Sequence, residues 1–236
     1  MKTRLFNPGC LTVVLLTFLV GSMVGAQGGV VPGNNVYSAA GILPTSIKRV
    51  LLLPVAYEHS APDLLDGCSM LDPVVKAELI KTARFEVVVA SAETLETLTG
   101  QPTWNGTEEL PPSFFGSLKD HYGCDAILFC QLTTFHAYPP ISVGWRFKLV
   151  DLSSQTIIWA DDTVFDAGDP AVSKGAEDYE RVQRGTVKSQ TFFRHMWSWL
   201  NRQPQPVSDD PWTVLNSPRY FGEYTVYTVF GTLPKR

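Results

Sequence analysis

The sequence predicts an α/β fold of the α+β kind: a mixed sheet of about five strands in the order β-α-β-α-β-β-β, flanked by helices and ending in a long C-terminal helix. Three observations predict it. Residues 123–166 hold three consecutive runs with period-two alternation. Two short runs, the continuously apolar Val50–Leu53 and the valine-rich Phe85–Val89, precede them, each followed by a helix start. Residues 174–201 then carry apolar side chains at three- and four-residue spacing.

The chain has 236 residues, 44% of them hydrophobic and 18% charged, enough to bury a sizeable core. Lys2 and Arg4 precede the apolar stretch Leu11–Gly21, and Val24-Gly25-Ala26 offers small residues for cleavage after Ala26. Residues 1–26 therefore read as a signal peptide. The competing reading is an uncleaved anchor, for which the apolar run is short. Removing residues 1–26 takes away Lys2 and Arg4 and no acid, so 19 basic residues become 17 against 23 acidic, a net −6. That balance, without a basic cluster, argues against nucleic acid as partner. Cys10 lies before the apolar stretch, in the wrong place for lipidation.

Residues 27–47, rich in Gly, Pro, Asn and Ser, read as a flexible linker. The α/β domain spans 48–203. Its first strand is Val50–Val55, with Pro54 ending the ladder. Residues 56–71 show no clear period and read as a loop. Asp72-Pro73 reads as a helix start, with Val74, Val75, Leu79 and Ile80 as its apolar stripe. Phe85–Val89 is the next strand. Ser91 caps a short helix that Gly100 ends. Ser113–Tyr122 is a helix, with Gly123 as its C′ residue. The three-strand run follows as Ala126–Thr134, Ser142–Val150 and Thr156–Phe165, with Pro139-Pro140 in the first connection and residues 151–155 as a tight hairpin. Residues 204–236 form an extension packed on the domain. Within it, 217–233 favours a strand by propensity but a helix by its Asn216-Ser217-Pro218 start and its length, and we read a helix.

Cys68, Cys124 and Cys130 follow the signal segment, an odd number for an exported chain. Cys124 and Cys130 lie roughly 20 Å apart on an extended segment, too far to pair. Cys130 reads as a small buried hydrophobe, and a Cys68–Cys124 pair stays open.

The order of these elements and three short motifs carry a resemblance. Gly123-Cys124-Asp125-Ala126-Ile127-Leu128 leads into a strand, Phe147-Lys148-Leu149-Val150-Asp151 leads into a hairpin, and Ile158-Trp159-Ala160 follows it. Over residues 48–200 the chain resembles the periplasmic α/β domain shared by the TolB N-terminal domain, the LpoB-type activators of penicillin-binding proteins and the CsgG-type curli secretion protein. The resemblance implies a location in the periplasm or cell envelope and a partner that is another envelope protein. The motif residues themselves are turn, cap and core residues, which supply no chemistry.

Nor does the rest of the chain supply any. There is no GxSxG, HExxH, P-loop or GxGxxG motif. His59, His121, His136 and His195 are scattered. Asp161 and Asp162 would point to opposite faces of a strand, and Asp162 and Asp166 share a face about 13 Å apart, so these acids read as a solvated edge and not a metal site. We therefore expect no catalytic residue, no cofactor and no metal. The expected function is that of a non-enzymatic scaffold, activator or assembly factor. The alternative is a module binding a small molecule or cell-wall glycan beside the Pro139-Pro140 loop. The candidate partner-binding residues are Trp199, Tyr220, Tyr224 and Tyr227 in the C-terminal aromatic group, with His136 and Tyr138 in the loop, because aromatic side chains dominate protein interfaces.

Overall fold

The computed structural model describes residues 35–58, 62–183 and 213–236. In chain order the elements are β1 (Val36–Ser38), β2 (Arg49–Leu52), β3 (Ala56–Tyr57), α1 (Pro62–Lys81), β4 (Glu86–Val89), α2 (Ala92–Thr99) and α3 (Phe114–Tyr122). They continue with β5 (Ala126–His136), β6 (Ser142–Asp151), β7 (Thr156–Asp166), α4 (170–183), α5 (Thr213–Asn216) and α6 (Pro218–Gly231). The expected mixed α/β architecture is present. The sheet has seven strands rather than about five, ordered β1-β7-β6-β5-β2-β4, with β3 also on β5. β5, β6, β7 and β1 pair antiparallel, whereas β2, β3, β4 and β5 pair parallel.

Each sheet face has its own core. α1 and α6 cover one face over Leu52, Leu128, Cys130, Trp145, Phe147 and Trp159. α2, α3 and Trp104 cover the other face at Leu51, Leu53, Ile127 and Phe129. Ser91 accepts from the Thr94 amide at the start of α2, and Gly123 ends α3 with φ +60°, a conformation that disfavours a side chain.

The stretch 56–71, read as a loop, instead holds β3 and the first half of α1. Leu64, Cys68, Leu71, Val75 and Leu79 recur every three or four residues and are all buried. Gly67 interrupts that stripe because the helix presses on β5 there: a Cβ at Gly67 would lie 2.6 Å from the Phe135 ring. Pro73 sits inside α1, not at its start. The Asp72 carboxylate leaves the helix alone and accepts from the Val55 amide at 3.0 Å. Within the segment read as a flexible linker, residues 36–38 pair with β7, and Leu43 and Ile47 are buried.

The last segment is the helix its start signal favours. Two indole groups on neighbouring strands fasten it. Trp145 Nε1 donates to Thr225 Oγ1 at 2.8 Å, and Trp159 Nε1 donates to Thr232 Oγ1 at 3.1 Å. Thr225 and Thr232 are seven residues apart, two helical turns, and so lie on one side of α6. The three cysteines of the described residues are free and buried, Cys68 in one core and Cys124 in the other, so the sheet separates that pair. Residues 1–34, 59–61 and 184–212 lie outside the described residues, and with them the expected signal segment and all but the start of the helix expected over 174–201. Among the described residues no helix is long and apolar enough to cross a membrane.

Candidate functional site

The two faces of the sheet are covered unequally. Helices lie on both sides of its β4-β2-β5 half. The antiparallel half carries α6 on one side, and among the described residues no helix covers the other, where only the loop at Gly106 reaches it. Register places the side chains of that bare side in rows. His136, Ser142 and Asp166 stand across β5, β6 and β7 at one end. Thr134, Gly144 and Val164 come next, then Gln131, Arg146 and Asp162. Lys148, Ala160 and Tyr37 close the series toward β1.

A bulge and a glycine shape the middle of this face. The β5–β6 register shifts between Leu132 and Thr134, so Thr133 and Thr134 both oppose Gly144. A Cβ at Gly144 would lie 2.6 Å from Thr133 Oγ1 and 3.0 Å from Thr134 Cβ, so only glycine fits beneath the two threonines. Arg146 organises the next row. Its Nε donates to Asp162 Oδ2 at 2.7 Å and its Nη1 to Gln131 Oε1 at 3.3 Å. Lys148 reaches back and donates to the Gly106 carbonyl at 2.6 Å, tying down the loop before α3. Burial, and then the Arg146 charge, lower its pKa from the ordinary lysine value. Around this polar centre stand exposed apolar side chains: Tyr37 at 54% exposure, Val164 at 56%, and Tyr138 at 75% in the β5–β6 loop.

His136 and Tyr138 are brought together, with ring centroids 6.2 Å apart. The His136 Nδ1 lies 3.2 Å from the Pro140 carbonyl. That carbonyl can only accept, so Nδ1 carries the proton. The row His136–Ser142–Asp166 contains the residue types of a nucleophilic relay, but Ser142 stands between the imidazole and the carboxylate. A relay needs the imidazole in the middle. Asp166 is committed to the Gly168 amide at 2.7 Å. Among the described residues no group of three or more His, Cys, Asp or Glu is placed to hold a metal ion.

The C-terminal aromatics are elsewhere. Tyr220 and Tyr227 are exposed on α6, on the other side of the sheet, and Tyr227 packs on Tyr179 of α4 with centroids 4.8 Å apart. Tyr224 does not belong to a surface patch: it is 4% exposed, on the inner side of α6 against Phe165 and Phe221. It lies one residue before Thr225, and both fall on the side of α6 that faces the sheet. Trp199 lies outside the described residues. The acids of β7 also divide differently from a solvated edge. Asp162 pairs with Arg146 on the bare face, and Asp161 is buried beneath α6.

Tyr37 and Val164 are the residues that sequence reasoning missed. Tyr37 was hidden in a segment read as linker. Val164 shares its strand parity with Asp162, which was a readable sign that it faces away from the core.

No family model matches this chain, and no curated protein matches it. Solved structures do. The PelC dodecamer of Paraburkholderia phytofirmans is similar at 16% identity, over 56% of this chain and 81% of that one, with a TM-score of 0.34. Lipoprotein GNA1162 of Neisseria meningitidis is similar at 21% identity, over 50% and 79%, with a TM-score of 0.36. The LpoB C-terminal domain of Escherichia coli is similar at 15% identity, over 53% and 87%, with a TM-score of 0.34. At such scores the likeness carries no argument about what this chain does.

Proposed function

We propose that this chain is a non-enzymatic, exported cell-envelope protein that binds another envelope protein through the bare face of its sheet, as scaffold, activator or assembly factor. The observation that carries the reading is the one-sided helix cover of the antiparallel half among the described residues. Exposed Tyr37, Val164 and Tyr138 surround a hydrogen-bonded Arg146–Asp162–Gln131 centre there. Exposed apolar side chains around an organised polar cluster fit a protein interface better than a solvated surface. Export rests on the basic, apolar and small-residue order of residues 1–26.

Photo-crosslinking side chains placed one at a time at 37, 138, 164, 220 and 227 in cells test the reading. Adducts to one envelope protein from 37, 138 and 164, identified by mass spectrometry, are expected. Adducts from 220 and 227 alone would move the interface to α6, and no adduct from any of the five would overturn the proposal. A second reading, a glycan-binding module, is favoured by Tyr138 beside His136, since sugars stack on exposed aromatic rings. Thermal stabilisation by cell-wall fragments that Tyr138→Ala abolishes would select it.

A further inference from the structure

Asp161 is 3% exposed, on the α6 side of β7. It stands opposite Phe147 of β6 and opposite Val36 of β1. Among the described residues its Oδ1 has no hydrogen-bond partner, and neither has Thr163 Oγ1, two residues along the same face of the strand. The end of α6 lies above it, but the Thr232 hydroxyl there is already used: it accepts from Trp159 Nε1 and donates to the Val229 carbonyl at 2.7 Å. A charged carboxylate in that position costs several kcal/mol more than a neutral carboxyl, which can give its own proton to a neighbouring oxygen.

The charges nearby do not remedy this. Asp162, on the opposite face, repels the charge. From β6, Arg146 and Lys148 point to the bare face, where they hold Asp162, Gln131 and Gly106. β1 offers Val36 and no charge. On α6, Glu223 lies nine residues before Thr232 and is held by Lys81 and Tyr179, beside the buried Glu78. After α6, Arg236 is bonded to the Ile47 and Arg84 carbonyls, and the Arg84 guanidinium donates to the Leu233 carbonyl.

We propose that Asp161 is a proton-operated latch for the end of α6: uncharged, it lets the last turn lie tight on the sheet, and charged, it loosens that turn. The direction agrees with its titration. Burial raises the carboxyl to about 6, with the Asp162 charge adding to the rise; the nearby Thr163 and Thr232 hydroxyls oppose it only weakly, since neither makes a hydrogen bond of normal geometry to Oδ1. A folded-state value raised above the unfolded one means that the contact is strongest in acid and is lost as pH rises through about 6.

Hydrogen exchange of the full chain, read by mass spectrometry and corrected for intrinsic rates, tests this. Protection of residues 229–233 should be roughly tenfold higher at about pH 5 than at about pH 8, while a peptide from α3 stays level. Asp161→Asn should abolish the difference and keep protection high. Glu78→Gln, which alters the other buried acid under α6, should leave the difference in place. No pH difference in the parent chain, or one that persists in Asp161→Asn, would overturn the latch. Should Asp161→Asn not fold, the Glu78→Gln chain decides: a difference that survives there supports Asp161, and one that vanishes there overturns it.

Discussion

Replacing Thr225 by Val tests how α6 is held. Thr225 is fully buried, and its hydroxyl accepts from Trp145 Nε1 at 2.8 Å while donating to the Gly222 carbonyl at 2.8 Å. Valine has almost the same volume, so no cavity forms. What changes is that the Trp145 N–H, in a fully buried side chain, loses its acceptor. A buried donor left unpaired costs about 1–3 kcal/mol, and the methyl that replaces the hydroxyl recovers part of that, so the expected loss is about 2 kcal/mol. For a chain of this size that is a fall of roughly 4–8 °C in Tm. Urea unfolding followed by far-UV circular dichroism should give a lower midpoint with an unchanged slope. In a Trp145→Phe background, where no donor remains, the same change should cost about 1–2 kcal/mol less. A Thr225→Val chain as stable as the parent, or an equal cost with and without the indole, would refute the fastening of α6 by that bond.

Gly144→Ala should destabilise by about 1–3 kcal/mol through overpacking under Thr133 and Thr134, and Thr133→Ala in the same chain should recover only part, measured by the same unfolding assay. Burial pushes the Cys68 thiol up to about 12 and raises those of Cys124 and Cys130, so an aromatic disulfide reagent at about pH 8 should label all three at least roughly 100-fold faster in urea than in the native chain. At the β6–β7 hairpin, burial alone would raise Asp151, but bonds from Ser153 and Ser154 bring it below the ordinary carboxylate value. Its contribution is therefore present above the unfolded value and lost as pH falls, and Asp151→Ala should cost about 1 kcal/mol at neutral pH and nothing in strong acid, by unfolding at each pH.

Elements with local signals were legible in the sequence. The Ser91 and Gly100 ends of α2, Gly123 after α3, the period-two run of β5 to β7 and the start of α6 all depend on neighbours within a few residues. α1 was only half legible. Its stripe is regular, but Gly67 and Pro73 are poor helix residues, and what excuses Gly67 is contact with Phe135, far away in the chain. β1 was hidden because three residues carry no usable period. Asp161 was placed on the correct parity, opposite to Asp162, yet the side with the core depends on where α6 lands. The site was legible in part. His136 and Tyr138 do meet, whereas Tyr224, a candidate for the partner surface, faces inward, because aromatic content alone does not tell which side of a helix does.

The parallel half of the sheet sets a timetable for folding. β2 is paired by β5, and the Asp125 carboxylate fixes the join by accepting the Lys48 and Arg49 amides across 77 and 76 residues of chain. The β5-β6-β7 meander closes through short loops, so it can form early, and β2 must be threaded into place beside it afterwards. A ribosome adding about 5–20 residues per second makes β2 roughly 4–15 s before β5 exists to receive it. Through that interval Val50-Leu51-Leu52-Leu53 is an apolar strand whose β5 edge stays open even after β4 has been made to cover the other, the kind of segment that aggregates unless something holds it. The most vulnerable moment of this chain therefore comes before its fold exists, and the stretch to protect lies at the start of the domain.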